Sequence, residues 1–240
     1  MAERFDPSAY AYAHRGLWTT GGLPENCLAA FLAAAEHGLG IEFDVRPSAD
    51  GIPVIFHDPV LDRTTEQTGA VESRTRSELT EISLIGGGAI ITLETLLAAW
   101  PATTPLLCEM KVDGATDSAR FARTVADLMM RHTGPAAMMS FCTEAVAATP
   151  EHVQRGQLIL PSSMSGATDL AATAVTKVDY LACHTSDAAD PGLQSARSTL
   201  PLITWTVKDT DACEALSAIT DSQIFEGFDP ALAKRHILNT

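Results

Sequence analysis

The chain has 240 residues, 46% of them hydrophobic, which suits one domain over residues 1–240 with a substantial core. Its formal net charge of −14 at pH 7 argues against nucleic acid or an anionic membrane surface as a partner. No apolar run reaches the roughly 18 residues of a membrane helix, and no signal-peptide core opens the chain, so we expect a cytoplasmic protein without a stable membrane association. The five cysteines form no C-x-x-C pair, and we expect them to be reduced thiols.

The first predicted strand covers residues 10–15 and ends in a histidine and an arginine, His14 and Arg15. An imidazole can take up and return a proton near neutral pH, and a guanidinium matches two phosphate oxygens. The alanine- and leucine-rich run CLAAFLAAAEHG follows, which predicts a helix with Asn26 as its N-cap and Gly38 as its stop. The pattern places a candidate acid-base group and a candidate phosphate contact at the end of a strand.

Two carboxylates lie in the second predicted strand, residues 40–46. Apolar residues alternate there with Glu42 and Asp44, so both acids face the same side of the strand. Two carboxylates this close cannot both ionise in a dry site without a cation, and they therefore either shift their pKa values or bind a metal. Their hard oxygen ligands suit Mg or Ca.

A hairpin is predicted directly after this strand. Asp50 and Gly51 stand between two apolar runs, which is a strong signal for a two-residue turn. Residues 52–57 should therefore pair antiparallel with the second strand and carry His57 back towards its two acids. Residues 59–92 are polar and then glycine-rich, and in a barrel they would form a small insertion looping over the C-terminal mouth.

Strands and helices alternate along the rest of the chain, which implies parallel pairing with right-handed crossovers. Without the hairpin partner, eight strands are predicted, at residues 10–15, 40–46, 105–111, 136–142, 157–161, 180–184, 201–207 and 223–228. The later helices are predicted at residues 93–100, 116–132, 143–149, 167–176, 190–198 and 209–218. This alternation matches a (β/α)8 TIM barrel, and a doubly wound open sheet is the alternative that the count leaves open.

Taken together, the motifs HRG, PEN before a helix, E-x-D-V, D-G, V-I-F-H-D and R-T-T resemble the glycerophosphodiester phosphodiesterase family. Further along the chain, LETLLAAW, LLCEMK and ITWTVK stand where that family carries a helix, an E-x-K strand and a tryptophan-bearing strand. The resemblance implies a TIM barrel of the phosphatidylinositol phosphodiesterase type and the hydrolysis of a small-molecule phosphodiester.

The third predicted strand of the barrel carries an acid and a base, Glu109 and Lys111, which are two residues apart and face the same side. Such a pair could be a structural ion pair. The resemblance instead implies that Glu109 joins Glu42 and Asp44 as ligands of one divalent cation, Mg or Ca, and that Lys111 contacts the phosphate. It also places Trp205 beside the glycerol moiety, although a tryptophan at this position could equally fill the core.

The mechanism implied by the resemblance is general acid-base cleavage with the help of a metal. One of His14 and His57 deprotonates the nucleophile, either water or the substrate's own glycerol hydroxyl, and the other protonates the leaving alcohol. Arg15 joins Lys111 at the phosphate, and the products would be glycerol 3-phosphate and an alcohol. Two alternatives stay open: a lysophospholipase D or sphingomyelinase D-like enzyme, and a non-catalytic barrel that binds a phosphorylated ligand.

Two segments depart from the pattern of the family. Cys27 follows PEN where the family favours threonine, and the last strand reads QIFEGFDP where threonine followed by aspartate or asparagine is usual. We expect the first departure to alter the helix start and the second to alter substrate contacts, and neither to touch the histidines or the acids. His184 also ends a predicted strand, and we expect it to be a surface or capped histidine.

Overall fold

The computed structural model describes residues 4–114, 116–166, 170 and 177–238. Its strands form one sheet and are β1 (Tyr12–His14), β2 (Gly40–Pro47), β3 (Pro53–Ile55), β4 (Leu106–Met110), β5 (Ala136–Ser140), β6 (Gln154–Leu158), β7 (Tyr180–His184), β8 (Leu202–Val207) and β9 (Ser222–Phe225). All neighbours except β2 and β3 pair in parallel, and β1 pairs with both β2 and β9. The sheet therefore closes, which confirms the (β/α)8 TIM barrel and excludes the open sheet.

The short strand β3 lies outside the barrel and forms the predicted hairpin. It pairs antiparallel with the end of β2, where Val45 stands opposite Ile55. β1 pairs with the start of the same strand, where Tyr12 stands opposite Gly40. The two partners thus share one edge of β2, and the hairpin projects beyond β1 at the carboxyl end of the barrel strands.

Helices connect the parallel strands on the outside of the barrel. They are α1 (Leu28–Glu36), α2 (Arg76–Thr80), α3 (Leu93–Ala99), α4 (Ser118–Met129), α5 (Thr143–Ala148), α6 (Ser162–Ser165), α7 (Pro191–Arg197), α8 (Thr210–Ser217) and α9 (Pro230–Leu238). Short 3-10 helices cover Pro7–Ala9, Val71–Ser73 and Thr185–Asp187. Within the described ranges, each helix is too short or too polar to cross a membrane.

The core has an outer and an inner layer, which follow from the alternation along the strands. Ile41, Phe43 and Val45 of β2 belong to the cluster between the strands and the helices, and the ring of Phe43 packs edge-to-face on Phe31 of α1 with centroids 6.1 Å apart. The inner cluster fills the barrel with Tyr12, Leu107, Ala137, Met139, Leu158, Tyr180, Ala182, Ile203 and Ile224. Glu42 and Asp44, which alternate with the outer residues of β2, therefore face the barrel interior.

Strand β6 begins earlier than the sequence pattern indicates. Residues 157–161 are predicted, but the strand covers Gln154–Leu158. The polar side chains that hide its start are buried and hydrogen-bonded: the amide of Gln154 donates to the carbonyl oxygen of Phe5 at 3.0 Å, and Arg155 donates from Nε to that of Lys177 at 2.7 Å. Buried polar residues with such partners cost little, and the stretch can therefore occupy a barrel strand.

Two helix predictions differ from the structure or fall outside it. The sequence predicts Asn26 as the N-cap of α1, but Cys27 takes this position and accepts a hydrogen bond through Sγ from the backbone N–H of Ala30 at 3.3 Å. Asn26 has φ +57° and its side chain bonds to another strand instead. The helix predicted at residues 167–176 lies outside the described residues apart from Leu170.

The insertion at residues 59–92 is a small folded layer, whereas the sequence predicts a loop. It contains the 3-10 helix Val71–Ser73 and the helix α2, which begins at a capping box between Thr75 and Glu78. Its apolar side chains pack on the hairpin and on the start of α1 in a cluster of Cys27, Ala30, Val54, Phe56, Leu61, Val71, Leu79, Ile82, Leu84 and Ile90. This packing fixes the insertion beside the mouth of the barrel.

Candidate active site

The HRG motif forms a sharp turn at the end of β1. His14 stands opposite Glu42 in the register of β1 and β2, and the backbone N–H of Arg15 donates to the carbonyl oxygen of Glu42 at 2.9 Å. Arg15 and Gly16 both have positive φ angles, +56° and +84°. A Cβ atom on Gly16 would lie 2.8 Å from the carbonyl carbon of Ala30 in α1, so the turn requires glycine. The close approach of the helix holds the imidazole and the guanidinium at the mouth.

Three carboxylates meet on the inner face of β2 and β4. Asp44 stands opposite Glu109 in the strand register, and one oxygen from each of Glu42, Asp44 and Glu109 lies within 4.8 Å of the other two. Burial raises the pKa of Glu42 well above its usual value, and the charges of Asp44 and Glu109 raise it further. Burial likewise raises the pKa of Glu109, whereas Lys111 and Arg15 overcome burial at Asp44 and hold its pKa far below the usual range.

Two cations lie against these acids. Lys111 Nζ is 2.6 Å from an oxygen of Glu109 and 3.1 Å from one of Asp44, while Arg15 Nε is 3.2 Å from the other oxygen of Asp44. Although burial opposes it, these acids raise the pKa of Lys111 above its usual value. The ion pair expected as the structural alternative for Glu109 and Lys111 is therefore present, and it stands inside the cluster of acids.

The donor set fits a hard divalent cation. Glu42 Oε1 is buried and accepts no hydrogen bond from the described residues, and burial with the nearby charges of Asp44 and Glu109 raises the pKa of this carboxyl. Three carboxylates with converging oxygens and an orphaned acceptor are what a hard, oxygen-seeking ion requires. Glu42, Asp44 and Glu109 are the residues that could hold it.

His57 enters the same region from the hairpin. The backbone N–H of Phe56 donates to the carbonyl oxygen of Asp44 at 3.0 Å, which anchors the end of the hairpin on β2. His57 Nδ1 is 2.6 Å from Asp58 Oδ1. Burial lowers the pKa of His57, and the charge of Asp44 opposes part of this effect. Burial therefore favours the neutral form of His57, and its Nδ1 is taken by a carboxylate.

His14 is held by Glu226, whose segment the sequence analysis expected to alter only substrate contacts. Its Nδ1 is 2.5 Å from Glu226 Oε2, and its Nε2 is 3.8 Å from Glu42 Oε2. Burial lowers the pKa of His14, while the bond to Glu226 raises it in part. Glu226 belongs to the departing segment QIFEGFDP, so the expectation that this segment leaves the histidines untouched is wrong. Their separation of 212 positions hides the contact from the sequence.

A chain of ion pairs connects Arg15 to His57, and the sequence analysis did not predict it. Glu25 of the PEN motif accepts from Arg15 at 2.9 Å and from Arg63 of the insertion at 2.7 Å. Arg63 also donates to Asp58 at 2.6 Å, and the bonds from Arg63 and His57 lower the pKa of Asp58 to about 2 although burial raises it. The motifs PEN, V-I-F-H-D and R-T-T are the signal that could have found this network, because each supplies one or two of its members.

Asn26 is a further member of the site that the sequence assigned to a helix cap. Its side-chain amide donates to Asp44 Oδ2 at 2.8 Å, and its oxygen accepts from the backbone N–H of Asp44. These bonds join the loop before α1 to β2. They help keep Asp44 ionised, because a carboxylate that accepts hydrogen bonds is favoured in its charged form.

The charged residues open into a cavity of about 520 Å³ at the carboxyl ends of the strands. His14, Arg15, Glu42, His57, Glu109 and Lys111 line one side, and the other side is apolar, with Phe141, Leu160, Pro161, Met164 and Trp205. The ring of Trp205 packs edge-to-face on Phe141 and on His184, with centroids 5.6 and 5.2 Å away. His184 is the N-cap of the 3-10 helix Thr185–Asp187, in line with the capping role expected for it, since its Nδ1 accepts a hydrogen bond from the backbone N–H of Ser186 at 3.2 Å.

Sequence comparison identifies relatives over part of the chain. A curated protein of Mycobacterium tuberculosis, named probable glycerophosphodiester phosphodiesterase 2, is 42% identical over 92 residues, which are 38% of this chain and 34% of that protein. Glycerophosphodiester phosphodiesterase 1 of Bos taurus is 43% identical over 74 residues, which are 30% of this chain and 22% of the bovine protein. The chain thus matches about a quarter to a third of the length of these relatives.

Structural comparison covers nearly the whole chain. A protein from Silicibacter pomeroyi, described as a putative glycerophosphoryl diester phosphodiesterase, superposes with a TM-score of 0.81 over 98% of this chain and 95% of that one, at 22% identity. A phosphodiesterase from Oleispira antarctica, solved in complex with sn-glycerol-3-phosphate as its product, gives 0.79 over 96% and 97%, at 23% identity. These neighbours share the barrel fold. Residues 14–221 match the model of the glycerophosphoryl diester phosphodiesterase family, and the chain belongs to this family.

Proposed function

We propose that this protein hydrolyses glycerophosphodiesters to glycerol 3-phosphate and an alcohol. The observation that carries the proposal is the convergence of two histidines, three carboxylates and two cations on one cavity. Membership of the family and the names of the relatives support it, as does the product bound in the Oleispira antarctica neighbour. In this proposal residues 1–240 act as one domain in the cytoplasm on a small-molecule substrate, without nucleic acid or a stable membrane association.

Glu42, Asp44 and Glu109 would hold one divalent cation, Mg or Ca. The fit rests on their converging oxygens and on the buried Glu42 Oε1 that accepts no bond from the described chain. When bound, the cation would supply positive charge that offsets the negative charge growing on the phosphate during displacement. Lys111 and Arg15, which are paired with these acids here, would then be available to bind the phosphate.

The two histidines supply proton transfer in this proposal. Because Nδ1 of each ring is paired with a carboxylate, the catalytic nitrogen is Nε2 in both. One imidazole removes a proton from the nucleophile, water or the glycerol hydroxyl of the substrate, and the other returns a proton to the leaving alcohol. Both histidines pair with a carboxylate in the same way, so these contacts do not distinguish the general acid from the general base.

The remaining residues bind and orient the substrate. Arg15 and Lys111 contact the phosphate, since both lie at its proposed position and carry fixed positive charge. Trp205 packs beside the glycerol moiety on the apolar side of the cavity. That side also favours one second candidate, a lysophospholipase D or sphingomyelinase D-like activity, in which an apolar substituent of the alcohol would lie on Phe141 and Leu160.

The test is release of sn-glycerol 3-phosphate from a panel of glycerophosphodiesters by the purified protein, with Mg, Ca or neither added. We expect release from at least one diester in the presence of a cation. Release from lysophospholipids alone would favour the second candidate. Tight binding of sn-glycerol 3-phosphate without turnover of any diester would instead identify a non-catalytic barrel and overturn the proposal.

A further inference from the structure

The two histidines of the cavity are held by the same kind of arrangement. His57 Nδ1 pairs with Asp58, whose other oxygen accepts from Arg63 at 2.6 Å. His14 Nδ1 pairs with Glu226, whose other oxygen lies 3.0 Å from Lys208 Nζ. In each case a carboxylate stands between an imidazole and a cation. The first arrangement is local in sequence, while the second joins residues at the ends of the first and the last strand of the barrel.

Glu226 is fixed by the closure of the barrel. It follows the last residue of β9, which pairs with β1, and its backbone N–H donates to the carbonyl oxygen of Val207 in β8 at 2.9 Å. Burial raises the pKa of Glu226, but the hydrogen bonds from His14 and Lys208 lower it to about 2. The side chain is thus an ionised acceptor at neutral pH, and its position is set by three neighbouring strands.

An ionised acceptor at Nδ1 determines which nitrogen of an imidazole carries the proton. A carboxylate accepts and cannot donate, so the proton of neutral His14 must sit on Nδ1. Nε2, which faces Glu42 in the cavity at 3.8 Å, is then free to accept a proton. The same logic governs the triad of serine proteases, where an aspartate holds the tautomer of the catalytic histidine.

We propose that Glu226 is a positioning residue that fixes the tautomer and orientation of His14, and that Lys208 holds the second oxygen of its carboxylate. The inference rests on the proposed function in so far as His14 acts in proton transfer. It assigns a role to the segment QIFEGFDP, where the chain departs from the usual ending of the last strand of the family. Glu226 is predicted to act through His14, without touching the substrate.

The test compares Glu226→Gln and Glu226→Asp with a matched control, Glu214→Gln, in which the same change is made at an exposed position of α8. In Glu226→Gln, Lys208 should attract the amide oxygen, which leaves the NH2 group to donate to His14 Nδ1 and moves the ring proton to Nε2. We expect kcat with glycerophosphocholine to fall by roughly 10²-fold with KM within about 3-fold. Glu226→Asp keeps an ionised acceptor and should retain more activity than Glu226→Gln.

Long-range ¹H–¹⁵N spectra of the imidazoles provide a readout that does not depend on turnover. The His14 signals, assigned by their loss in His14→Ala, should show the proton on Nδ1 in the wild type, in Glu226→Asp and in Glu214→Gln, and on Nε2 in Glu226→Gln. Thermal unfolding of each variant is measured alongside, because a purely structural role would lower stability without a change of tautomer.

Two results would overturn the proposal. One is a wild-type kcat in Glu226→Gln, and the other is an unchanged His14 tautomer in that variant. A wild-type protein that hydrolyses no diester would count against the proposed function only, because the tautomer comparison still decides whether Glu226 positions His14.

Discussion

The two sides of the cavity are built in different ways. On the side formed by β1, β2, β4 and the hairpin, every charged residue is held by ion pairs or hydrogen bonds to others, such as the chain from Arg15 through Glu25 and Arg63 to Asp58. On the side formed by β5, β6 and β8, the residues are apolar and contact each other by packing, as Trp205 and Phe141 do. Buried charges need fixed partners, whereas apolar walls tolerate exchange.

This contrast suggests a division of labour. In the proposed reaction, fixed charges and imidazoles would act on the phosphate, and their loss should reduce kcat. The apolar side would contact the rest of the substrate, and its loss should change KM. The variants below test this division, beginning with the largest effect that we expect.

Removal of the proposed divalent cation should have the largest effect. Without it, Glu42, Asp44 and Glu109 present excess buried negative charge to an anionic substrate, and the growing charge at the phosphate is not offset. We expect exhaustive chelation to lower kcat by about 10³-fold or more, and added Mg or Ca to restore it. Undiminished activity after verified metal removal would show that these acids do not bind an essential ion.

Substitution of either histidine should have the next largest effect on kcat. His14→Ala and His57→Ala each remove one proposed proton-transfer group, and we expect each to lower kcat by about 10³-fold. His37→Ala serves as the control, since His37 is an exposed histidine at the end of α1. Circular dichroism should show an intact fold in all three, and a wild-type rate in His14→Ala or His57→Ala would refute the role of that residue.

Lys111→Met separates a phosphate contact from a structural ion pair. Methionine keeps the length of the side chain but removes a charge that would stabilise the transition state, so kcat should fall by about 10²-fold. Lys177→Met, at an exposed position, is the matched control. If Lys111→Met loses thermal stability but keeps kcat, the pair with Glu109 is structural only.

Trp205→Ala should have a moderate effect of a different kind. The change removes apolar surface beside the proposed glycerol position, and we expect KM for glycerophosphocholine to rise about 10-fold while kcat stays within about 3-fold. Met130→Ala, at an exposed residue that does not line the cavity, should change KM by less than about 3-fold. Equal KM values in Trp205→Ala and the wild type would mean that this ring only fills the core.

The sequence predicts the fold and one side of the cavity well because the relevant signals are local. The alternation in β2 reveals the shared face of Glu42 and Asp44, and the turn at Asp50 and Gly51 reveals the hairpin that carries His57. These features depend on residues a few positions apart, and their physical basis is the two-residue period of a strand and the geometry of a tight turn.

The features that the sequence hides depend on distant or buried partners. The start of β6 is missed because Gln154 and Arg155 are polar, and the backbone carbonyl oxygens that accept their hydrogen bonds belong to other segments, at Phe5 and Lys177. The contact of Glu226 with His14 forms only when the barrel closes. The cap at Cys27 depends on a turn that sends Asn26 to Asp44. None of these partners is set by local spacing.

The central claim is that the imidazole pair, the acids and the fixed cations surround a single phosphorus atom. The most direct measurement is a crystal structure of the protein with sn-glycerol 3-phosphate and Mg or Ca. We predict the cation on Glu42, Asp44 and Glu109, the phosphate within hydrogen-bonding distance of Nε2 of both histidines, and the glycerol on the side of Trp205. A phosphate bound away from His14 and His57, with no ion on the three acids, would contradict it.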